Sequence, residues 1–204
     1  MKIICIGRNY AEHAAELNNA LPKQPLIFMK PSTALLKDGK AFYYPDFSQD
    51  IHYELELVIK ICRTGKSVAP KFAHKYYEEV GLGIDLTARD LQSKCKEKGH
   101  PWEIAKAFDH SAIVGRFLPK AEAQEAEGHY CFELKQDGQS VQQGDSRKMI
   151  TDIDNLIAYV SKFFSLQKGD LIFTGTPAGV GPIAQGQEYK GFLKGQELLS
   201  CEIR

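Results

Sequence analysis

Alternation of apolar and polar residues is clearest between His52 and Ile61, where the chain reads HYELELVIKI. Successive side chains of a β-strand point to opposite faces, so this alternation predicts a strand. Two carboxylates two residues apart therefore lie on the same side of the predicted sheet. One face carries Tyr53, Leu55, Leu57, Ile59 and Ile61, and the other carries His52, Glu54, Glu56, Val58 and Lys60.

Shorter apolar runs predict further strands, and helical spacing of apolar residues predicts a few helices. Asn9 caps the first helix, with Glu12 as the third residue of a capping box, and this helix runs to about Asn18. Gly99 is placed to end the second helix, and Thr151 or Asp152 to cap the third. The strands are predicted at 2–6, 26–29, 80–86, 170–174 and in the C-terminal tail, and the helices at 9–18, 89–98 and 153–164.

Strands outnumber helices in this prediction and do not alternate with them, which argues against a doubly wound parallel sheet. The chain shows no internal repeat and no linker rich in Pro, Gly or Ser, and its apolar residues are spread evenly. We therefore predict a single α+β domain over residues 1–204 that is mainly β, with a mixed sheet and about three helices.

Composition narrows the class of protein. The 204 residues suffice for a sizeable core, and the 26 Lys and Arg residues balance the 26 Asp and Glu residues. This balance lacks the positive excess typical of proteins that bind nucleic acid or anionic membranes. Five scattered cysteines without a CxxC pair favour a reducing compartment over a disulfide framework or zinc ribbon. Because no apolar run is long enough for a signal peptide or a membrane span, we expect a cytoplasmic protein.

Three carboxylates suggest a metal site. Glu54 and Glu56 lie a few Å apart on the predicted strand, and their charges repel unless a cation lies between them. A solvated strand face near Lys60 is the simpler explanation of this pair. Asp85 argues against it, because it ends an apolar run in which an unpaired charge would be costly. Three oxygen ligands suit Mg²⁺ or Mn²⁺ better than zinc, which prefers nitrogen and sulfur.

His13 and Glu16 share one face of the first predicted helix. A carboxylate beside an imidazole fixes its tautomer and raises its basicity, as a general base acting on water requires. The alternative is an exposed pair on a surface helix, which is the commoner arrangement. Lys106 is likewise either a catalytic cation or an ordinary surface lysine.

The glycine-rich loop at 175–181, GTPAGVG, does not match the phosphate-binding or dinucleotide motifs. Its glycines and Thr176 would nevertheless let backbone N–H groups approach a small carboxylate. The loop is therefore a candidate for substrate binding.

Six sequence blocks, in the same order, resemble the fumarylacetoacetate hydrolase family, and the similarity extends over nearly the whole chain. It is strongest to the single-domain branch of acylpyruvases and oxaloacetate decarboxylases. The blocks are GRNYxxH at 7–13, FMKP at 28–31, HYELEL at 52–57, IDLTARDLQ at 84–92, the lysine after PWEIA at 106, and TGTPAGVG at 174–181.

The resemblance implies a β-sandwich-like roll, a homodimer and a Mg²⁺ or Mn²⁺ ion held by Glu54, Glu56 and Asp85. It makes His13 and Glu16 a water-activating pair on a helix that closes over substrate. It places Lys106 near the cleaved bond, and Arg89, Gln92 and Thr176 in the substrate pocket. Ala107 and the pair His110 and Ser111 depart from residues frequent in the family, which affects the shape of the pocket.

The leading functional hypothesis is hydrolysis of a carbon–carbon bond in a 3-acylpyruvate, giving pyruvate and a carboxylic acid. Decarboxylation of oxaloacetate is the first alternative, because it requires no water nucleophile. Isomerisation or hydration of a dienoate keto acid, as in aromatic-acid degradation, is another. A non-catalytic metal-binding scaffold is the alternative from a different class of protein. Each enzymatic hypothesis implies a small keto acid as substrate, with neither nucleic acid nor membrane as partner.

Overall fold

Three β-sheets account for most of the regular structure of the computed structural model, which describes residues 1–17 and 19–204. Most helices of the described residues are short, and among these α3 and α6 exceed two turns. The elements are β1 (Ile3–Gly7), α1 (Ala11–Glu16), β2 (Leu26–Lys30), β3 (Leu35–Lys37), β4 (Ile51–Tyr53), β5 (Leu55–Ile61), α2 (Pro70–Ala73), β6 (Tyr77–Asp85), β7 (Thr87–Ala88), α3 (Arg89–Lys98), α4 (Glu103–Lys106), β8 (Ala112–Pro119), α5 (Lys120–Ala123), β9 (Cys131–Gln136), β10 (Gln139–Asp145), α6 (Ile153–Phe163), β11 (Leu171–Phe173), β12 (Gly181–Pro182), β13 (Glu188–Leu193) and β14 (Gln196–Glu202).

The largest sheet has seven strands in the order β2-β1-β11-β5-β6-β8-β3. It is mixed, because β1 pairs parallel with β11 and β3 pairs parallel with β8, while its other pairs are antiparallel. A four-stranded antiparallel sheet, β10-β9-β13-β14, and a small sheet, β12-β4-β7, complete the fold. The predicted α+β, mainly β class is confirmed.

The central strand β5 is buried on both faces, which explains its high apolar content. Leu55 and Leu57 belong to the main core, which includes residues of the four-stranded sheet such as Leu134 and Leu199. Val58 lies on the opposite face, in a smaller cluster with Phe173. Burial of each large apolar side chain contributes about 1.5–3 kcal/mol, so these two faces hold the centre of the sheet in place.

The predicted strand at His52–Ile61 is interrupted in the structure at Glu54. The backbone N–H of Leu55 donates to Gln142 Oε1 at 2.9 Å, and the carbonyl of Glu54 accepts from Asp85 N–H at 2.8 Å. Residues 51–53 therefore pair with β7 and β12, whereas 55–61 pair with β6 and β11. The alternating pattern indicated extended backbone throughout, and only the tertiary contacts show where one sheet ends and the next begins.

Two of the three predicted capping residues are confirmed. Gly99 ends α3 with φ of 65°, and Asp152 caps α6 by accepting a hydrogen bond from Asn155 N–H at 2.9 Å. The prediction that Asn9 caps α1 is wrong, because the N-terminal flanking residue is Tyr10, without a side-chain cap. The predicted end at Asn18 lies outside the described residues.

Asn9 instead joins three segments of the chain. Its side-chain amide donates to the carbonyls of Thr151 at 3.0 Å and Thr174 at 2.8 Å, and its oxygen accepts from Thr151 N–H at 2.9 Å. These long-range partners outcompete a local cap, because they satisfy a buried polar side chain. The loop before α1 is thereby tied to the end of β11.

The cysteines and the helices bear on two further expectations. All five cysteines are free thiols, as the scattered spacing predicts. Within residues 1–17 and 19–204, every helix is too short or too polar to cross a bilayer.

Candidate metal and active site

Three carboxylates converge where the central strands end. Glu54 follows β4, Glu56 lies in β5, and Asp85 is the last residue of β6. The pairing of Leu55 with Ile84 and of Glu56 with Gly83 brings these segments side by side. One ligand oxygen from each carboxylate lies within 4.8 Å of the others. The three residues are only 5%, 2% and 0% exposed, so the solvated strand face considered for Glu54 and Glu56 is wrong.

The electrostatics of this triad fit a hard cation. Burial, together with the charges of Asp85 and Glu54, raises the pKa of Glu56 well above its ordinary value. Asp85 Oδ1 is buried without a hydrogen bond, although Lys30 Nζ lies 2.8 Å away. Lys60, the cation expected beside Glu54 and Glu56, pairs with Glu79 instead at 2.7 Å. Buried oxygens held this close suit Mg²⁺ or Mn²⁺, which would relieve their mutual repulsion.

Lys106 is buried and lies against the carboxylates, so it is not a surface lysine. Its ammonium donates to Glu54 Oε2 at 2.7 Å, Asp85 Oδ2 at 2.8 Å and Thr87 Oγ1 at 2.5 Å. Burial alone would lower the pKa of Lys106, but the charges of Asp85 and Glu54 outweigh it and raise that pKa. The lysine therefore stays charged beside the triad.

Arg89 and Gln92 project from the first turn of α3 toward the same carboxylates. Arg89 Nη2 lies 2.6 Å from Glu54 Oε1, and its Nη1 donates to Gln92 Oε1 at 2.9 Å. Burial alone would raise the pKa of Glu54, but Lys106 and Arg89 outweigh it and hold that pKa well below its usual range. Glu54 is therefore ionised and bridges two cations.

Two further contributors were not predicted as site residues. Lys30 is buried at the end of β2, where its ammonium donates to the carbonyls of Lys106 and Ser111 and to Ser111 Oγ. Thr87, on β7, accepts from Lys106. The sequence offered one signal for Lys30, since it is a charged residue within the apolar run LIFMKP. Thr87 had no such signal, because its role depends on the position of Lys106.

His13 and Glu16 form the pair that the helical spacing predicted. His13 Nδ1 lies 3.2 Å from Glu16 Oε2, and Glu16 Oε1 accepts from Gly179 N–H at 3.0 Å. His13 is only 5% exposed, so the alternative of an exposed surface pair is wrong for the histidine. Because Nδ1 faces Glu16, Nε2 is the nitrogen left to act on a substrate.

The glycine-rich loop encloses the other side of the triad. Gly175 N–H donates to Glu56 Oε2 at 2.7 Å. Thr176 Oγ1 donates to the carbonyl of Leu55 at 2.8 Å and accepts from Gln142 Nε2 at 2.6 Å. Thr176 therefore lines the site, but its hydroxyl is already hydrogen-bonded to Leu55 and Gln142. Gln142 was not predicted, although it also binds Leu55 N–H and so positions both Thr176 and the break at Glu54.

All nine predicted site residues except Glu16 line one cavity of about 30 Å³, and Glu16 contacts it through His13. The cavity is small because Lys106 and Arg89 lie over the carboxylates. Its remaining lining residues are Ile6, Gly7, Arg8, Leu17, Asn19, Leu26, Phe28, Lys96 and Trp102. The arrangement brings together three carboxylates that can hold a cation, a buried imidazole that can act as a base, and several positive groups that suit an anionic substrate.

Comparison with known proteins places this site in a family. The fumarylacetoacetate (FAA) hydrolase C-terminal family matches residues 2–204. The oxaloacetate tautomerase YcgM of Escherichia coli (strain K12) is 40% identical over 197 residues, which cover 97% of this chain and 90% of that protein. The mitochondrial oxaloacetate decarboxylase of Dictyostelium discoideum is 40% identical over 195 residues, which cover 95% of this chain and 89% of that protein.

A solved structure with this fold contains both a metal and a keto acid. It is fumarylpyruvate hydrolase from Pseudomonas aeruginosa in complex with Mn²⁺ and pyruvate. The match has a TM-score of 0.92 at 36% identity and covers 100% of this chain and 89% of that chain.

Proposed function

Since this chain belongs to the fumarylacetoacetate hydrolase family, we propose that it is a divalent-metal-dependent enzyme that interconverts the keto and enol forms of oxaloacetate. The observation that carries the proposal is the buried triad of Glu54, Glu56 and Asp85, which shares one cavity with His13. The E. coli relative named oxaloacetate tautomerase supports this choice of substrate.

Glu54, Glu56 and Asp85 would hold Mg²⁺ or Mn²⁺. A divalent cation bound there supplies Lewis-acid polarisation to the 1-carboxylate and 2-oxo group of a keto acid. The Mn²⁺ in the P. aeruginosa structure supports such a cation for this chain and does not select between the two metals.

His13 is the group proposed to move the proton. Tautomerisation breaks the C3–H bond of the keto form and adds a proton to the oxygen on C2. His13 Nε2 would take the proton from C3 and then return it to the C2 oxygen, while Glu16 stabilises the imidazolium that forms between the two transfers. Glu16 is itself held by Gly179 N–H, so the imidazole ring is oriented before substrate binds.

The charged side chains around the triad would bind and orient the substrate. Lys106 would stabilise negative charge that develops on the C2 oxygen, because its buried ammonium faces the same carboxylates. Arg89, oriented by Gln92 at 2.9 Å, would pair with the substrate carboxylate. Thr176 would shape the opposite wall.

Decarboxylation of oxaloacetate is a second activity that the same groups can support. Loss of CO₂ from C4 leaves negative charge on the C2 oxygen and requires no base at C3. The relative from D. discoideum named oxaloacetate decarboxylase supports it. We therefore expect this activity to depend on Lys106 and the carboxylate triad more than on His13.

Hydrolysis of a 3-acylpyruvate, the leading prediction from the sequence, remains a candidate function. In this reaction His13 would activate water, which attacks C4, and the C3–C4 bond would break to give a carboxylic acid and pyruvate. The P. aeruginosa fumarylpyruvate hydrolase with bound pyruvate favours it. Isomerisation or hydration of a dienoate keto acid also stays a prediction.

A substrate panel at fixed Mg²⁺ tests the proposal. It compares tautomerisation and decarboxylation of oxaloacetate with pyruvate release from acetylpyruvate and fumarylpyruvate, for wild type and His13→Ala. We expect tautomerisation to have the highest kcat/KM and to fall about 10²- to 10⁴-fold in His13→Ala, as loss of a general base predicts. Decarboxylation should change less than tenfold in that variant.

The exposed lysine Lys94, on the same helix as Arg89, provides a control variant, Lys94→Met, whose activities should match wild type. Undiminished tautomerisation in His13→Ala would contradict the assigned base. A higher kcat/KM for an acylpyruvate than for oxaloacetate would show that the main function is hydrolysis and not tautomerisation.

Homodimerisation and a cytoplasmic location also remain predictions. Light scattering coupled to size-exclusion chromatography would measure the mass directly, and a monomer of 22.9 kDa would contradict the dimer.

A further inference from the structure

A second group of side chains able to bind a metal lies on the four-stranded sheet. One ligand atom each from His129, Cys131 and Asp145 lies within 4.8 Å of the others. Among the residues that the structure describes, the cleft lined by Cys131 and Asp145 shares no lining residue with the active-site cavity. This group is therefore separate from the carboxylate triad.

The sheet explains why these three side chains meet. Tyr130 and Phe132 belong to the core, so the alternating residues His129 and Cys131 share the outer face. Cys131 at the start of β9 pairs directly with Asp145 at the end of β10, and residues paired in this way project to the same side of the sheet. Strand register, and not spacing along the chain, assembles the group.

The backbone that carries these ligands is fixed before any metal binds. Strand β9 pairs with β10 on one side and with β13 on the other, and Lys194 N–H donates to the carbonyl of Cys131 at 3.0 Å. The loop before β9 is closed by Glu125 N–H, which donates to the carbonyl of His129 at 2.8 Å. Ligands held on rigid elements lose little freedom on binding, which favours a metal site.

The imidazole of His129 is incompletely satisfied by the protein. Within residues 1–17 and 19–204, His129 Nδ1 is buried and has no hydrogen-bond partner. A buried polar atom without a partner is costly, and a metal ion is one partner that a neutral imidazole binds. The histidine therefore points to a ligand, independently of its closeness to Cys131 and Asp145.

Asp145 already has a partner, which a cation would have to replace in part. Arg147 Nε and Nη2 lie 2.9 and 2.6 Å from Asp145 Oδ2, and Arg147 N and Nε lie 2.9 and 3.2 Å from Oδ1. The side chain of Arg147 is 56% exposed and also pairs with Glu127 at 2.9 Å, so it keeps an anion when it leaves Oδ2. Exposed ion pairs contribute little, and this one does not explain why His129 and Cys131 approach Asp145.

The donor set selects the kind of metal. One sulfur, one nitrogen and one oxygen suit a borderline ion such as Zn²⁺, whereas Mg²⁺ and Mn²⁺ prefer oxygen ligands. Three protein ligands leave one position of a tetrahedral ion. The adjoining cleft of about 720 Å³ gives water and the ion access to that position.

We propose that His129, Cys131 and Asp145 form a zinc site, distinct from the carboxylate triad. Zinc would bind the sulfur of Cys131, an imidazole nitrogen of His129 and a carboxylate oxygen of Asp145, with water as the fourth ligand. The thiol proton of Cys131 would be released to solvent. The ion would join the loop at 125–129 to the end of β10 and so stabilise this edge of the sheet.

Cobalt substitution tests the site without reference to activity. A thiolate bound to Co²⁺ gives a charge-transfer band in the near ultraviolet, which the carboxylate triad cannot give because it contains no sulfur. With excess Mg²⁺ in a thiol-free reducing buffer, we expect Co²⁺ to produce this band in wild type and Zn²⁺ to remove it by displacement. Cys131→Ser should lack the band, whereas Cys62→Ser, which changes another half-buried free thiol, should keep it.

Zinc affinity, measured by competition with a chromophoric chelator, tests the other two ligands even if Cys131→Ser folds poorly. His129→Gln and Asp145→Asn should each weaken binding by more than about tenfold, the least that loss of an outer partner of a metal ligand costs. Arg147→Gln should strengthen binding by up to about fivefold, because it removes the competitor for Asp145. Arg116→Gln, at an exposed position of β8, should match wild type.

Four results would overturn the zinc site. They are absence of the thiolate–Co²⁺ band in wild type, a band that survives in Cys131→Ser, unchanged zinc affinity in both His129→Gln and Asp145→Asn, and weaker binding by Arg147→Gln. None of these measurements depends on which substrate the enzyme converts. The zinc site and the proposed function are therefore tested separately.

Discussion

Each charged residue at the site is defined by its neighbours more than by its type. Glu54 and Glu56 are two residues apart, yet Glu54 contacts Lys106 and Arg89, whereas Glu56 accepts a hydrogen bond from the Gly175 N–H. The pKa of Glu54 is lowered by its two cations, while burial and two neighbouring carboxylates raise that of Glu56. Protonation is therefore disfavoured at Glu54 and favoured at Glu56.

Glu56 should make the metal-free protein less stable as the pH rises. Its pKa is higher in the folded protein than the ordinary 4.5, so protonated Glu56 stabilises the fold at low pH. This contribution is complete below about pH 4.5 and is lost as the pH rises through the folded pKa. In the presence of a chelator, raising the pH through that range should lower the melting temperature of wild type more than that of Glu56→Gln. Parallel pH profiles for the two proteins would contradict the raised pKa.

Lys30 should be required for stability, because its buried ammonium faces Asp85 and the carbonyls of Lys106 and Ser111. Removal of one partner from a buried ion pair costs about 3–5 kcal/mol. We expect Lys30→Met to lower the free energy of unfolding by this amount in urea titrations. Lys37→Met, at an exposed position of β3, should change it by less than about 0.5 kcal/mol. A loss below about 1 kcal/mol for Lys30→Met would show that the pair is not needed.

At the scale of elements, the site depends on where strands end and how closely the sheets approach. Glu54 lies between β4 and β5, Asp85 ends β6, and Arg89 begins α3, so a strand or helix begins or ends at or beside each of these residues. Functional groups at strand ends are held by a rigid sheet and still face a cavity. The packing of the four-stranded sheet against the seven-stranded sheet keeps β5 and β6 in register beneath these groups.

Gly115 of β8 permits this packing. A Cβ at this position would lie 2.3 Å from the backbone oxygen of Leu198 in β14, and a backbone atom cannot move aside as a flexible side chain can. We expect Gly115→Ala to destabilise the protein by about 1–3 kcal/mol or more, as overpacking does. Gly191→Ala is the control and should cost less, because the nearest atoms to its Cβ would be side-chain carbons at 3.2 and 3.3 Å. Equal losses in urea titrations of both variants would contradict the role of backbone contact.

At the scale of the whole molecule, the proposed metal site joins segments that are far apart in sequence. The cavity of the triad is lined by residues from the loop after β1, the start of β5, the end of β6, helix α4 and the loop at 175–181. A ligand that binds only the folded chain stabilises it by an amount that grows with the logarithm of its concentration above Kd. The metal should therefore stabilise the entire fold.

Saturation with Mg²⁺ or Mn²⁺ should raise the free energy of unfolding by about 2.7 kcal/mol at a metal concentration 100 times Kd. The measurement is a urea titration at several metal concentrations, with chelator as the starting point. Glu54→Gln should show little metal dependence, because it removes one charged ligand of the triad. Identical unfolding curves with metal and chelator in wild type would contradict a metal site at these residues.

Much of the local structure was predictable because it depends on neighbours in sequence. Helix α3 ends at Gly99 and α6 begins at Asp152, as the capping residues predict. The strand containing Glu56 follows its alternating pattern, and the three carboxylates were recognisable as a set because charge is costly in apolar runs. The spacing of His13 and Glu16 likewise predicted their contact.

Tertiary structure decided everything that depends on residues distant in sequence. Asn9 satisfies its amide through Thr151 and Thr174 in place of a helix cap, since buried polar groups take the best partners available in space. The break at Glu54 depends on Gln142, and the fixed position of Lys106 depends on Lys30. Pairing of distant segments has no periodic signature, so the sequence determined the elements and the ligand types, and the fold decided which of them meet.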